Sequence, residues 1–207
     1  MRKAQTISRQ LRRNVGGASE TTRQAPSVAE CRAYLLGALH DGTFNRYNQR
    51  HRFAQLGTDW LSVLKSCLAL TDNTSWIYRE GRNRKVYVLE TRAKFLDTKF
   101  DPKRLNSAEE KIAYLRGFFD AEGGIPRSPS ARFYIQLVQN DRIKLEKLKQ
   151  MLISFGIQSG KIHNPSFHID PDYFRMFISK KSQENFLKII GSWHPRKIKT
   201  LQQRVMI

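Results

Sequence analysis

The chain contains an internal repeat, and this repeat constrains its fold more than any other feature. The segment Ser27–Gly37 returns 80 residues later as Ser107–Gly117, with six of the eleven positions identical. A unit that occurs twice predicts two similar halves built from the same elements. We therefore expect an α+β fold with two pseudo-symmetric repeats, residues 27–98 and 107–191, joined by a linker at 99–106.

Both copies of the repeat begin with a helix signal. Each opens with the pattern S-x-x-E, Ser27 with Glu30 and Ser107 with Glu110, which is a capping box that satisfies backbone N–H groups at a helix start. Each copy also ends at a glycine turn, as helices commonly do. The two signals together predict one helix of about fourteen residues in each repeat.

The segments that follow each helix alternate between strand and helix patterns. The predicted elements of the first repeat are a strand at 52–55, a helix at 59–70, a hairpin at 75–79 and 85–89, and a short helix at 94–98. Those of the second are a strand at 132–139, a helix at 141–155, paired strands at 161–163 and 173–178, and a short helix at 183–190. We expect the order αββαββα in each repeat, with antiparallel sheets.

The charge of the chain points to a polyanionic partner. Lys and Arg number 37 against 18 Asp and Glu, which gives a net charge of +19, while 40% hydrophobic residues are too many for a disordered basic tail. The positive charge therefore lies on a folded surface. No apolar run is long enough for a transmembrane helix, and no apolar signal segment begins the chain. We expect an intracellular protein, or one of an organelle matrix, without a membrane partner.

Both ends of the chain are basic. Residues 1–26 carry six Lys and Arg against the single acid Glu20, which predicts a flexible leader. Residues 192–207 form a basic C-terminal extension with a predicted helix from Arg196 to Ile207.

The first helix of each repeat has small residues in its middle. Ala33 and Gly37 are four residues apart, as are Ala113 and Gly117, so each pair lies on one helix face where a second backbone can come close. We expect these four residues to form the interface between the two helices.

Acids lie at the C-terminal ends of the same helices: Asp41 in the first copy, Asp120 and Glu122 in the second. A carboxylate there faces the negative end of the helix dipole, and a divalent cation reverses the sign of that interaction. If the helices pack side by side, one carboxylate from each converges at a shared end, an oxygen site suited to Mg²⁺.

Residues Leu115–Gly123, with the sequence L-R-G-F-F-D-A-E-G, resemble the nine-residue LAGLIDADG motif, and Leu35–Gly42 resembles a shortened copy. The chain is thus similar to single-chain, two-repeat LAGLIDADG homing endonucleases over about residues 27–190. The first motif has one residue fewer between its internal glycine and its acid, and His40 occupies the position before Asp41.

The resemblance implies a monomer whose sheets form a saddle on double-stranded DNA with a long, asymmetric target. It implies hydrolysis of one phosphodiester per strand with Mg²⁺, or another divalent cation such as Mn²⁺, leaving 3′ overhangs. It also implies an intron- or intein-encoded origin. The residues implied as catalytic are Asp41 and Glu122, which would also bind the metal, together with Gln55, Gln139, Lys94 and Lys181, with Lys180 as an alternative to Lys181.

The strand 132–139 predicts part of a DNA-reading surface, because its apolar and polar residues alternate between two faces. Arg and Gln on the polar face can pair with guanine and adenine edges in a major groove. Basic residues around the hairpins add a lining suited to phosphates. The expected DNA-binding residues are Arg46, Arg50, Arg52, Arg82, Arg84, Lys85, Arg127, Arg132, Tyr134, Gln136, Lys161 and Arg175.

Three alternatives remain open at this point. An RNA maturase on the same scaffold predicts an RNA partner and dispensable acids. A non-catalytic, sequence-specific DNA-binding protein is disfavoured by the acids in both motifs and favoured by the shortened first motif. A nicking enzyme with one complete site lies between these.

Overall fold

The computed structural model describes residues 25–128 and 130–205. The predicted leader 1–26 therefore lies outside the described residues, apart from its last two. The chain forms two compact units. The first runs to Ala121 and includes the C-terminal residues from Ser192, and the second comprises Glu122–Gly191.

Two helices of the first unit begin with the predicted capping boxes. Helix α1, Val28–Ala38, continues into one turn of 3₁₀-helix, Leu39–Asp41. At its start the Glu30 N–H donates to Ser27 Oγ over 3.1 Å, and the Ser27 N–H donates to the Glu30 carboxylate over 2.8 Å. The later helix α3, Ala108–Glu122, begins with the same pair of bonds between Ser107 and Glu110.

The first unit contains one antiparallel sheet of four strands. The strands are β1 (Gly42–Asn45), β2 (Arg50–Leu56), β3 (Ser75–Glu80) and β4 (Val86–Thr91), in the order β1-β2-β4-β3. Helix α2, Asp59–Leu70, has the predicted bounds and buries Trp60, Leu61 and Leu64 among other side chains. One sheet face is therefore covered by the core, since Phe53 and Leu89 are fully buried.

The predicted helix at 94–98 is wrong. These residues form two turns, with Ala93 and Leu96 buried as anchors. The Asp97 carboxylate accepts a hydrogen bond from the Lys99 N–H over 2.8 Å. Such a local side-chain bond offers the backbone an alternative to helix formation.

The second unit has a three-stranded antiparallel sheet, β5 (Gly123–Gly124), β6 (Gln136–Gln139) and β7 (Phe174–Phe177), in chain order. Helix α4, Arg142–Ser154, follows β6, and helix α5, Gln183–Ile189, follows β7. Both helices were predicted with bounds that agree to within one residue.

Two strand predictions in the second unit are wrong in extent. The strand expected at 132–139 begins only at Gln136, because β5 offers two residues for pairing. The strand expected at 161–163 is reduced to a single bridge between His163 and Arg175. Immediately after it, the Asn164 side chain donates to the carbonyls of Asp170 and Pro171 over 2.7 and 2.9 Å, which closes a loop.

Helix α6, Pro195–Val205, is the basic C-terminal helix predicted from the sequence. It belongs to the first unit, where Trp193, Lys197 and Leu201 are buried. Within residues 25–128 and 130–205, no helix is both long and apolar enough to span a membrane.

Candidate active site and nucleic-acid interface

Helices α1 and α3 touch backbone to backbone at two glycines. A Cβ atom added to Gly37 would lie 2.8 Å from the Phe118 nitrogen and closer still to the Tyr114 carbonyl oxygen. One added to Gly117 would lie 2.9 Å from the Ala38 nitrogen and closer still to the Tyr34 carbonyl oxygen. Neither position has room for a side chain. The structure thus brings the predicted interface glycines together, and it buries Ala33 and Ala113.

The tyrosines at equivalent positions of the two motifs exchange hydrogen bonds between the helices. The Tyr34 hydroxyl donates to the Asp120 carboxylate over 2.7 Å. The Tyr114 hydroxyl is hydrogen-bonded to His40 Nε2 over 2.9 Å. Each tyrosine therefore reaches a polar side chain near the end of the opposite helix, and His40 takes the role in the short motif that Asp120 has in the long one.

Asp41 is half-buried and lies beside Gln55, the predicted glutamine. Gln55 Nε2 donates to the Asp41 carboxylate over 2.5 Å. Burial raises the pKa of Asp41 to about 6, while the bond from Gln55 and the charge of Lys197 act in the opposite direction. A bound cation would offset the cost of burying this carboxylate.

Sheet register gives Glu122 and Gln139 the same relationship in the second unit. In the first unit Gly42, which follows Asp41, pairs with Phe53, and Gln55 comes two residues later. In the second unit the glycine after Glu122 pairs with Leu137, and Gln139 also comes two residues later. Gln139 is buried and accepts the Asn140 N–H over 2.8 Å.

The residues present fit a hard, oxygen-binding cation. Within the described part of the chain, no three His, Cys, Asp or Glu side chains gather where they could hold one metal ion. A single carboxylate backed by an amide matches Mg²⁺, which retains waters and binds one or two carboxylates with substrate phosphates.

The predicted catalytic lysines lie in different parts of the structure. Lys94 lines a groove along the N-terminal part of α1 with Val28, Ala29 and Arg32, whereas Asp41 follows the other end of that helix. The catalytic role of Lys94 therefore stays a prediction. Lys180 and Lys181 are exposed in a 3₁₀ turn after β7, and their role stays a prediction.

Lys197 is a buried lysine that the sequence reasoning missed. Only 3% of the residue is exposed, and its ammonium group donates to the backbone carbonyls of Phe119 and Asp120, the latter over 3.1 Å. A cation is favourable at these carbonyls because they lie at the C-terminal end of α3. A signal existed in the spacing, since Lys197 and Leu201 are four residues apart on one helix face and both are buried.

Asp120 connects the C-terminal segment to α3. Its buried carboxylate accepts hydrogen bonds from the Ser192 hydroxyl and, over 2.8 Å, from the Trp193 N–H, in addition to the bond from Tyr34. Burial raises the pKa of Asp120, and Lys197 is the strongest group that opposes this shift. Asp120 is therefore a structural anchor.

The outer face of the first sheet carries part of the predicted DNA-binding set. Arg50 and Arg52 lie on it and pair with Glu90, while the inner face holds Phe53 and Leu89. The other predicted DNA-binding residues of this unit are exposed in its hairpin turns: Arg46, Arg82, Arg84 and Lys85.

The predicted residues of the second unit differ in exposure. Arg127, Arg132 and Lys161 are exposed, whereas Tyr134, Gln136 and Arg175 are half-buried. The Arg175 guanidinium lies 5.1 Å from the centre of the Phe177 ring.

The family of the second motif follows from a comparison of sequences. A family model described as the LAGLIDADG-like domain matches residues 109–191. The chain carries a LAGLIDADG-like domain. A comparison with curated protein sequences gives no match.

Solved structures with a LAGLIDADG fold resemble most of the chain. The I-DmoI homing endonuclease in complex with DNA and Mn is 18% identical, over 80% of this chain and 98% of that one, with a TM-score of 0.60. The N-terminal LAGLIDADG domain of DUF199/WhiA is 17% identical, over 91% and 89%, with a TM-score of 0.63. Full-length DUF199/WhiA from Thermatoga maritima is 18% identical, over 97% and 65%, with a TM-score of 0.64. The predicted α+β homing-endonuclease-like fold with antiparallel sheets is confirmed.

Proposed function

We propose that this protein is a site-specific DNA endonuclease that depends on a divalent metal ion and cuts both strands. The observation that carries the proposal is the repeated acid and glutamine pair: Asp41 hydrogen-bonded to Gln55, and Glu122 with Gln139 at the same sheet register. A structural cap would need no second copy of this arrangement. In both repeats an acid is followed by a glycine that pairs with the strand carrying the glutamine. This repetition favours a catalytic role for the two acids.

The residues of the chain supply binding and orientation. Asp41 and Glu122 would hold Mg²⁺ or Mn²⁺, and Gln55 fixes the rotamer of Asp41 through its amide. When bound, such a cation lowers the pKa of an attacking water and stabilises charge on the phosphate and the leaving oxygen. The exposed basic residues of the hairpins would hold the flanking phosphates.

The likeness to I-DmoI supports DNA as the substrate, because that homing endonuclease was solved with DNA and either Mn or Ca. By the same analogy we propose a monomer acting on a long, asymmetric duplex site and leaving 3′ overhangs. The net charge of +19 is consistent with a nucleic-acid partner.

The test begins with selection of cleaved duplexes from a randomised DNA library in Mg²⁺. On the selected site, Glu122→Gln and Asp41→Asn should each abolish cleavage of at least one strand and keep DNA affinity within about tenfold, because the metal ligand is lost and the basic surface stays. Glu109→Gln is the matched control, since it removes an exposed acid from the start of the same helix α3. If Glu122→Gln and Asp41→Asn each still cut both strands of the selected site, the proposal would be overturned.

A nicking enzyme is the second candidate, because the two motifs differ in length and therefore need not be equally active. The same experiment separates it, since a nicking enzyme loses all activity with Glu122→Gln and none with Asp41→Asn. An RNA maturase or a DNA-binding protein without catalysis would bind nucleic acid and cut no member of the library.

A further inference from the structure

Glu90 lies at the centre of an ion-pair network on the outer face of the first sheet. Its side chain is 6% exposed. Arg50 Nη1 donates to it over 2.9 Å and the Tyr78 hydroxyl over 3.0 Å. Arg52 Nε lies 3.2 Å from one of its oxygens, as an ion pair. Arg52 also pairs with Glu80 over 2.7 Å. Strands β2, β3 and β4 thus each contribute to one connected network.

The network fixes both guanidinium groups in place. Arg50 lies over the Trp76 ring, 4.7 Å from its centre, while Glu90 holds one of its nitrogens. Arg52 is held on two sides, by Glu90 and by Glu80. Both arginine side chains are still 30% exposed, so each remains partly accessible to a ligand. Such arginines lose little further side-chain entropy when they bind.

The same network removes the net charge that phosphate binding uses. Two arginines and two glutamates sum to zero charge, and Glu90 places a buried negative charge beneath a surface that meets a polyanion. Non-specific DNA affinity comes from uncompensated Lys and Arg charges that displace counterions. Arg50 and Arg52 are therefore poor phosphate clamps and well suited to the fixed, bidentate contact with guanine O6 and N7. Leu56, 81% exposed on the same strand face, suits contact with a thymine methyl group.

We infer that Glu90 is a specificity-determining positioning residue, which aims Arg50 and Arg52 at base edges and lowers the affinity of the sheet for DNA of any other sequence. The inference rests on the proposed DNA-binding function. It revises the expectation that these two arginines form a phosphate lining, because opposing an unwanted interaction is as much a source of specificity as making the wanted one.

The test compares Glu90→Gln with wild type in DNA binding without divalent metal, so that no cleavage occurs. With a 30-base-pair random-sequence duplex as the probe, we expect Glu90→Gln to bind about three- to tenfold more tightly near 0.1 M salt. The slope of log K against log salt should steepen by about one, since a released arginine gains a phosphate contact. The ratio of affinity for the selected site to affinity for the random duplex should fall by at least about tenfold, the cost of a misplaced bidentate contact.

Two further variants keep the test decisive. Glu146→Gln is the charge-matched control, because it also releases an arginine, Arg142 at 3.1 Å, from an exposed helix pair. It should leave the affinity ratio unchanged. Glu80→Gln releases Arg52 from a side chain that is 42% exposed, so it preserves the buried centre of the sheet and should shift the ratio in the same direction by less.

The outcomes separate this inference from the proposed function. If wild type binds no DNA, both fail. If wild type binds and cuts a selected site while Glu90→Gln and Glu80→Gln match Glu146→Gln in both affinity ratio and salt slope, only the role of Glu90 is overturned.

Discussion

Gly117→Ala should destabilise the protein, although the same change stabilises most helices. Replacing glycine by alanine inside a helix gains about 1 kcal/mol from backbone entropy. Here the new Cβ would lie 2.9 Å from the Ala38 nitrogen and closer to the Tyr34 carbonyl oxygen, and both are backbone atoms of α1 that cannot move alone. Overpacking costs about 1–3 kcal/mol and more in rigid sites. Because two backbone contacts fall below normal distances, we take the upper end.

The net loss is then about 2 kcal/mol, which lowers the melting temperature by roughly 4–8 °C for a chain of this size. Differential scanning calorimetry measures it directly. Gly37→Ala should behave alike, with its Cβ 2.8 Å from the Phe118 nitrogen, whereas Gly160→Ala is the control, since its nearest neighbour is 3.7 Å away. A Gly117→Ala protein that melts at or above the parent temperature would refute the close contact of α1 and α3.

Two further predictions concern buried charges of the first unit. Burial raises the pKa of Asp41 from 3.8 to about 6, so the folded state binds the proton more tightly and the free energy of unfolding falls as pH rises through that window. Asp41→Asn should therefore raise the free energy of unfolding at pH 7.5 in EDTA by about 3 kcal/mol, and equal denaturation midpoints for the two proteins would contradict this. Lys197→Met should lower the free energy of unfolding by about 1–3 kcal/mol, because two backbone carbonyls and Asp120 lose their cation. Lys199 is exposed on the same helix, so Lys199→Met should change the free energy of unfolding by less than about 0.5 kcal/mol. A destabilisation as large as that of Lys197→Met would argue against the role of Lys197 at the C-terminal end of α3.

The elements that the sequence predicts correctly are those with local signals. Helix α2 was predicted from Asp59 to Leu70 and has these bounds, because its apolar period and flanking residues are contained in one segment. The capping boxes of α1 and α3 belong to the same class. Local hydrogen bonds and helix periodicity act within a few residues, so the sequence contains them in readable form.

The elements that were missed depend on distant partners. Arg132–Ile135 has strand-like alternation, yet β5 provides only two residues for pairing, so the ladder starts at Gln136. The omission of Lys197 has the same kind of cause. Which lysine reaches the helix ends depends on how the chain returns over about eighty residues, and that path is set by packing, here by Trp193 and Leu201.

In the shortened first motif, Asp41 lies as far along the helix axis from Gly37 as Glu122 lies from Gly117. The missing residue is offset by a change of helix type. From Gly117 to Glu122 the chain takes five α-helical steps, an advance of about 7.5 Å. From Gly37 to Asp41 it takes four steps, of which the last three form the 3₁₀ turn Leu39–Asp41. With about 2.0 Å per 3₁₀ residue, this advance is also about 7.5 Å. The two acids differ by only about 40° around their helix axes, since 3₁₀ residues turn about 120° each and α residues about 100°. His40 satisfies Tyr114 on this tighter turn, where Asp120 satisfies Tyr34 on the regular one. The deletion therefore preserves the position of Asp41 along its helix, and it does not by itself argue against cleavage of the second strand.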